Sequence, residues 1–251
     1  MTTEELVNIL LNRGQTLWQD KQTFVRFTGD PRADEMLNDL TNTPHAFVLA
    51  CIINRQMKAE LAWRIPFQVA QKLGDFDMSA LVELDLSQIE DLMTQPEPLH
   101  RFPFEMAKNF YEGVQRIATV YQGKASNIWV DEPSSATVVY RFLEFRGVGP
   151  KIATMATNIL ARDFKVVFSD YYSIDVSVDT HIRRVFTRLG LVPKGASTEQ
   201  IIYRARSLSP EFPGLLDLPA WEIGRNWCKP REPECTVCYM DKVCLRQGVH
   251  Q

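Results

Sequence analysis

Four of the chain's five cysteines fall in its last 24 residues, spaced Cys228-x6-Cys235-x2-Cys238-x5-Cys244. Four thiols within 17 residues draw the C-terminal tail into one loop around a common centre. Two centres suit four thiolates, a tetrahedral zinc ion or an iron–sulfur cubane. Four-cysteine zinc sites usually carry two Cys-x2-Cys knuckles, whereas this chain has a single knuckle in the middle. The stretch KPREPE between the first two cysteines is short. It presents Lys229 and Arg231 as cations suited to a phosphate. The fifth cysteine, Cys51, lies in the apolar run Ala46–Ile53 and reads as a small core residue.

That run is the longest apolar one and is far too short to cross a membrane. The N-terminus, MTTEEL, is acidic where a secretory signal is basic. The expectation is an intracellular, non-membrane protein. At 45% hydrophobic and 24% charged residues the chain can bury a core without disulfides. The net charge of −3 conceals an asymmetry. Residues 1–140 hold 12 basic and 19 acidic side chains, a balance of −7. Residues 141–251 hold 16 and 12, a balance of +4. An anionic partner is therefore expected to dock on the second half.

Helical periodicity dominates, so the predicted class is mostly α. A first helix spans Glu4–Trp18. A second is expected from Pro44 to about Arg64, and another from Pro66 to Gly74. Single helices are predicted for Asp77–Gln95 and Phe104–Tyr121. Two more, Val138–Phe145 and Pro150–Leu160, flank Gly147-Val148-Gly149. Phe164–Val178 has strand composition but fits an irregular loop equally well. Ile182, Val185, Phe186 and Leu189 then recur at helical spacing and stop at Gly190. Helices are also expected within Ser197–Ser209 and Ala220–Cys228.

Two short motifs carry chemistry. In FRGVGPKIA, residues 145–153, Pro150 suits the first helical position and the glycines permit a tight turn. A helix N-terminus after such a turn can receive a phosphate without regard to base sequence. In VDTH, residues 178–181, Asp179 sits where a helix cap is expected.

In this order, FRGVGPKIA, VDTHIRRVFTRLG and WCKPREPECTVCYMDKVC resemble the helix–hairpin–helix DNA glycosylase superfamily, and its endonuclease III branch in particular. The segment AFVLACIINRQMKAE resembles that family's early helix carrying a strand-separating glutamine. The resemblance spans about residues 44–244. It implies a two-domain helical fold with a cleft between a helical-barrel domain, residues 38–172, and an iron–sulfur domain, residues 1–37 and 173–251. It implies Lys151 as Schiff-base lysine and Asp179 as catalytic aspartate. Cys228, Cys235, Cys238 and Cys244 correspond to the ligands of a [4Fe–4S] cluster. Gly147, Val148 and Gly149 correspond to the phosphate-binding hairpin, with a monovalent cation beside it. Gln56 corresponds to the residue that probes the gap left by a flipped nucleotide, and Lys229 and Arg231 to backbone contacts.

Two departures stand out. The connection between the lysine helix and VDTH is about ten residues longer than in endonuclease III, bringing Asp170, Tyr171, Tyr172 and Asp175 close in sequence to the site. This insertion could line or occlude a base pocket. The chain also has an N-terminal extension and lacks the C-terminal recognition domain of adenine DNA glycosylases.

The implied activity is excision of damaged bases from double-stranded DNA by a monomer, with β-elimination at the abasic site. The flipped base exposes C1′ to a neutral lysine amine. A free lysine titrates near 10.4, so this asks for a fall of roughly 3 units, about 4 kcal/mol. A helix N-terminus contributes only ~0.3–1 kcal/mol. Desolvation is expected to supply most of the rest. Three other readings stand beside this one. In a monofunctional glycosylase Asp179 activates water. A non-catalytic binder of damaged DNA has no use for the Lys151–Asp179 pair. A zinc module without activity is the last.

Overall fold

The computed structural model describes residues 2–20 and 24–249. Twelve α-helices follow one another, and no strand occurs among the described residues. They are α1 (Thr3–Gln19), α2 (Pro31–Asn38), α3 (Pro44–Ile53), α4 (Ala59–Leu73), α5 (Met78–Val82), α6 (Leu86–Thr94), α7 (Pro103–Val120), α8 (Ser135–Leu143), α9 (Pro150–Arg162), α10 (Thr180–Arg188), α11 (Thr198–Leu208) and α12 (Asp217–Asn226). Short 3-10 turns occupy Ala125–Ile128, Pro213–Leu216 and Cys235–Val237. None of these helices is long and apolar enough to cross a membrane.

The buried apolar residues form two clusters. One holds residues from Phe27 to Ile174, joined by Phe212. At its centre, α3 is buried at all ten positions, the only place for a helix that is apolar on every face. It packs against α4, α7 and α9. The second cluster joins Leu6, Val7 and Leu10 of α1 to residues from Val176 to Met240. The chain thus starts in one core, builds the other, and returns.

Local chemistry sets the helix ends, and here the sequence reading needs correction. α3 stops at Ile53 instead of running to about Arg64. Tight turns close it: Asn54 N–H donates to the Cys51 carbonyl and Arg55 N–H to that of Ile53. Pro66 lies inside α4 and does not open it. Pro66 has no N–H for the preceding turn, yet α4 continues because Ala62, Trp63, Ile65 and Val69 bury its face. Asp77–Gln95 is two helices, not one. Asp85 begins the second with a capping box: its carboxylate accepts from Gln88 N–H and its own N–H donates to the Gln88 side chain, both at 2.9 Å. The span Phe164–Val178 is irregular. Ile174, Asp175, Val176 and Ser177 are buried in succession, so neither face is free to alternate.

The insertion ahead of Asp179 is fastened down. Tyr171 packs edge-on to Trp18, with ring centroids 5.2 Å apart, and lies 5.0 Å from Phe212. Asp170 accepts from the Ser135 hydroxyl, and Asp175 pairs with Arg206 at 2.7 Å. Tyr172 stands exposed.

α1 meets the 213–216 turn through Gly14. A Cβ there would stand 2.2 Å from the Leu215 carbonyl oxygen. Overpacking costs about 1–3 kcal/mol. Alanine returns at most ~1 kcal/mol of helix propensity. Gly14→Ala should therefore lower the urea midpoint. An unchanged or higher midpoint contradicts this contact.

Candidate active site

The hairpin between α8 and α9 is built by one conformation and two neighbours. Gly147 has φ +80°, in the region closed to most side chains. A Cβ there would also lie 2.6 Å from Asn109 Nδ2 and 3.1 Å from Arg55 Nη1. Arg55 donates to the Gly147 carbonyl at 3.2 Å, and Asn109, buried on α7, accepts from Arg146 Nε at 3.0 Å. His100 in turn bonds the Arg55 carbonyl at 2.9 Å. The Arg55 guanidinium thus puts positive charge beside a hairpin oxygen. Gly149 is the N-cap of α9 in an extended conformation, with no side-chain cap to occupy the helix start. Val148 is half-buried.

Lys151 is the second residue of α9 and its side chain is exposed. Asp179 is half-buried and is the N-cap of α10. Its Oδ1 accepts from the amides of His181 and Ile182, both at 2.8 Å. Both side chains act electrostatically on a third, Asp217 at the start of α12. Lys151 favours ionisation of that carboxyl and Asp179 opposes it. Burial dominates and pushes the Asp217 carboxyl up to about 6, against the Ser177 amide, which donates to it at 2.6 Å, and the charge of Arg162. Lys151 and Asp179 therefore both lie within electrostatic reach of Asp217.

The four C-terminal thiols line one chamber together with Arg188 and Met240. Among the described residues, no three His, Cys, Asp or Glu side chains close on a point as a single metal ion requires. Backbone Arg246 N–H donates to Cys244 Sγ at 3.4 Å, and Arg188 Nη1 to Cys228 Sγ at 3.3 Å. Burial and the neighbouring thiols push Cys238 and Cys244 up. Cys51 is buried far from this loop in the first core.

The arginines of α10 are committed to structure. Arg184 bonds the carbonyls of Cys228 and Gly224 at 2.6 and 2.8 Å. Arg188, 9% exposed, holds the Lys229 and Pro230 carbonyls at 2.6 and 2.8 Å. Lys229 is itself engaged: its Nζ donates to the Arg225 carbonyl at 2.6 Å, closing the end of α12. Arg231 is exposed. Gln56 is also exposed, but on the loop between α3 and α4, with φ +56°, and not on a helix.

Sequence reasoning missed Arg55, Asn109, Ser177 and Asp217. Arg55 reaches a residue 92 positions away and Ser177 one 40 positions away. No local pattern signals such partners. Only the position of Asp217 at a helix start, where a carboxylate is favoured, was there to be seen.

No family model matches the chain. It is 25% identical over 212 residues to endonuclease III of Synechocystis, covering 80% of this chain and 81% of that protein. It is 31% identical over 103 residues to endonuclease III of Thermotoga maritima, covering 41% of this chain and 43% of that protein. That second match spans less than half the length of the relative. A structure of endonuclease III trapped as a covalent intermediate with DNA superposes with a TM-score of 0.62 at 18% identity, covering 97% of this chain and 96% of that one. The fold is shared along nearly the whole chain.

The two Asp179 hydrogen bonds lead to a separable outcome. Asp179→Ala should cost about 1 kcal/mol of unfolding free energy, the usual value of a lost N-cap. Asp179→Asn keeps an acceptor and should stay within about 0.5 kcal/mol of wild type. Equal losses in urea titrations contradict the capping role.

Proposed function

We propose that this chain, built on the fold of the endonuclease III-like helix–hairpin–helix glycosylases, is a DNA glycosylase with AP-lyase activity. Its substrate is double-stranded DNA bearing a damaged base or an abasic site, and it works as a monomer inside the cell. The observation that carries this reading is the hairpin itself, with Gly147 at φ +80°, Arg55 on its carbonyl and the uncapped start of α9 immediately ahead of Lys151. The clamped hairpin opens the helix that bears the lysine.

In this reading the DNA backbone docks on the amides of Gly147, Val148 and Gly149, and Gln56 and Arg231 reach the opened duplex. Lys229 holds α12 through the Arg225 carbonyl, so it shapes the loop beside the DNA. Arg55 supplies positive charge at the Gly147 carbonyl, where the resemblance implied a monovalent cation. The flipped nucleotide brings C1′ to Lys151. The neutral amine forms a C1′–N bond as the glycosidic bond breaks and the base leaves with the electron pair. Asp179, ionised, stabilises the positive charge at C1′ and takes the amine proton. Ring opening gives an iminium. Loss of a C2′ proton then breaks the C3′–O bond. Lys151 is exposed in the free protein, so its desolvation comes from the DNA that closes over it.

The four thiols fit a [4Fe–4S] cluster. Four thiols line a single chamber, and a cubane takes one thiolate on each of its four irons. When bound, the cluster supplies a rigid anchor for the C-terminal loop. Arg188 and Arg184 tie that loop to α10, whose first turn Asp179 caps. We read the two cores as the helical-barrel and cluster domains, with the site where the chain passes between them.

Borohydride trapping on a duplex with one abasic site tests the reading. A covalent adduct that disappears in Lys151→Ala is the expected result. Base release retained by Lys151→Ala would support the water-activating alternative. No adduct and no base release from folded, DNA-binding wild type would leave a binder and overturn the enzyme. For the cofactor, purified protein should absorb in the visible, and Cys235→Ala should abolish the band. A colourless protein carrying zinc overturns the cluster.

A further inference from the structure

Arg225 is a cation of the second core whose only charged partner comes from the first. Arg184 and Arg188 are committed to backbone carbonyls, and Arg206 pairs with Asp175, whose side chain is only 10% exposed. Arg225, in the last turn of α12, pairs instead with Glu60 in the first turn of α4. The two side chains are 47% and 40% exposed, so water reaches both. Their helices bury themselves in different cores: α4 places Trp63, Ile65 and Val69 in the first, and α12 places Ala220 and Ile223 in the second. An exposed ion pair thus bridges the two halves of the molecule.

Both ends of this bridge stand beside groups of the proposed site. Glu60 lies four residues past Gln56, on the helix that follows the Gln56 loop. The Arg225 guanidinium lies 4.9 Å over the Trp221 ring. Trp221 meets His181 edge-on, with ring centroids 6.4 Å apart. His181 is held close against α12, where a Cβ on Gly224 would stand 2.7 Å from its own Cβ. The His181 amide donates to Asp179 Oδ1 at 2.8 Å. A line of contacts therefore runs from the Asp179 cap through Arg225 to the Gln56 segment.

We propose that Arg225 is a further contact to the DNA backbone, which Glu60 occupies in the free protein and yields to a phosphate when duplex binds. The inference rests on the DNA-binding part of the reading above and not on its lyase chemistry. A guanidinium fork takes a carboxylate or a phosphate in the same two-pronged way, so the exchange needs no new geometry. An ion pair between exposed side chains shifts an equilibrium by only about fivefold or less. A duplex offers a dense row of phosphates and gains further from released counterions. Glu60 remains favourably placed once released, because the free amides at the start of α4 support its charge.

The test is the affinity for an undamaged duplex, followed by fluorescence anisotropy across a salt series. Glu60→Gln should bind about two- to fivefold tighter. Its slope of log Kd against log salt should equal that of wild type, because the same phosphates are neutralised. Arg225→Gln should bind more weakly, with a slope shallower by about 0.9, the value of one phosphate. Arg225→Lys keeps the charge and should keep the wild-type slope, which separates a lost contact from a folding defect. A pair with a purely structural role would weaken binding in both the Glu60 and the Arg225 variants. Two variants that move in the same direction overturn the proposal.

The double variant separates release of Arg225 from a general loss of negative charge. In the Arg225→Gln background, Glu60→Gln should bring little gain. Equal gains in both backgrounds overturn the exchange. Wild type that forms no borohydride adduct, with the opposite shifts present, would count against the lyase and leave Arg225 as a DNA contact. A normal adduct with a salt slope unmoved by Arg225→Gln would leave the lyase and overturn this inference.

Discussion

The immobility of α9 is the constraint on which the rest of the site depends. Nine of its thirteen residues, from Ile152 through Ala161 with the exception of Met155, are buried. It packs against α3 and α8, and Asn158 ties it to the Gly214 carbonyl at 3.2 Å. A helix held on so many sides can neither rotate nor slide without opening a core. Its exposed first turn is therefore a fixed platform. Lys151 gains freedom only in its own side chain, while Gly147 and Gly149 are set by the same rigid body.

Electrostatics at this platform differ from what the sequence suggested. Desolvation was expected to lower the lysine, yet Lys151 is exposed. The carboxyl that desolvation shifts is instead that of half-buried Asp217. An ammonium left in water at the start of α9 spares the fold the cost of burying a charge.

What could be read in the sequence is what local spacing determines. The cysteine loop, the GVGP turn and the cap before His181 are each written within a few residues. The helix patterns of α1, α7 and α10 were legible because one face is apolar at helical spacing. The break at Asn54 was not, because residues 44–53 are apolar on every side and carry no phase. Pro66 misled because proline usually opens helices, and here burial of its neighbours outweighs the missing bond. The hairpin clamp and the Asp217–Ser177 bond join distant segments. The Lys229 bond to the Arg225 carbonyl at the end of α12 is likewise not written in the KPREPE stretch.

The second core encloses the first in chain order. Leu6, Val7 and Leu10 share this core with residues from Val176 onward. The second core therefore closes only when segments far apart in the chain meet, the kind of contact that is slow to form because a long loop must be ordered first. The Thr2–Glu5 capping box supports the start of α1, and Gly14 leaves room for the turn at Leu215.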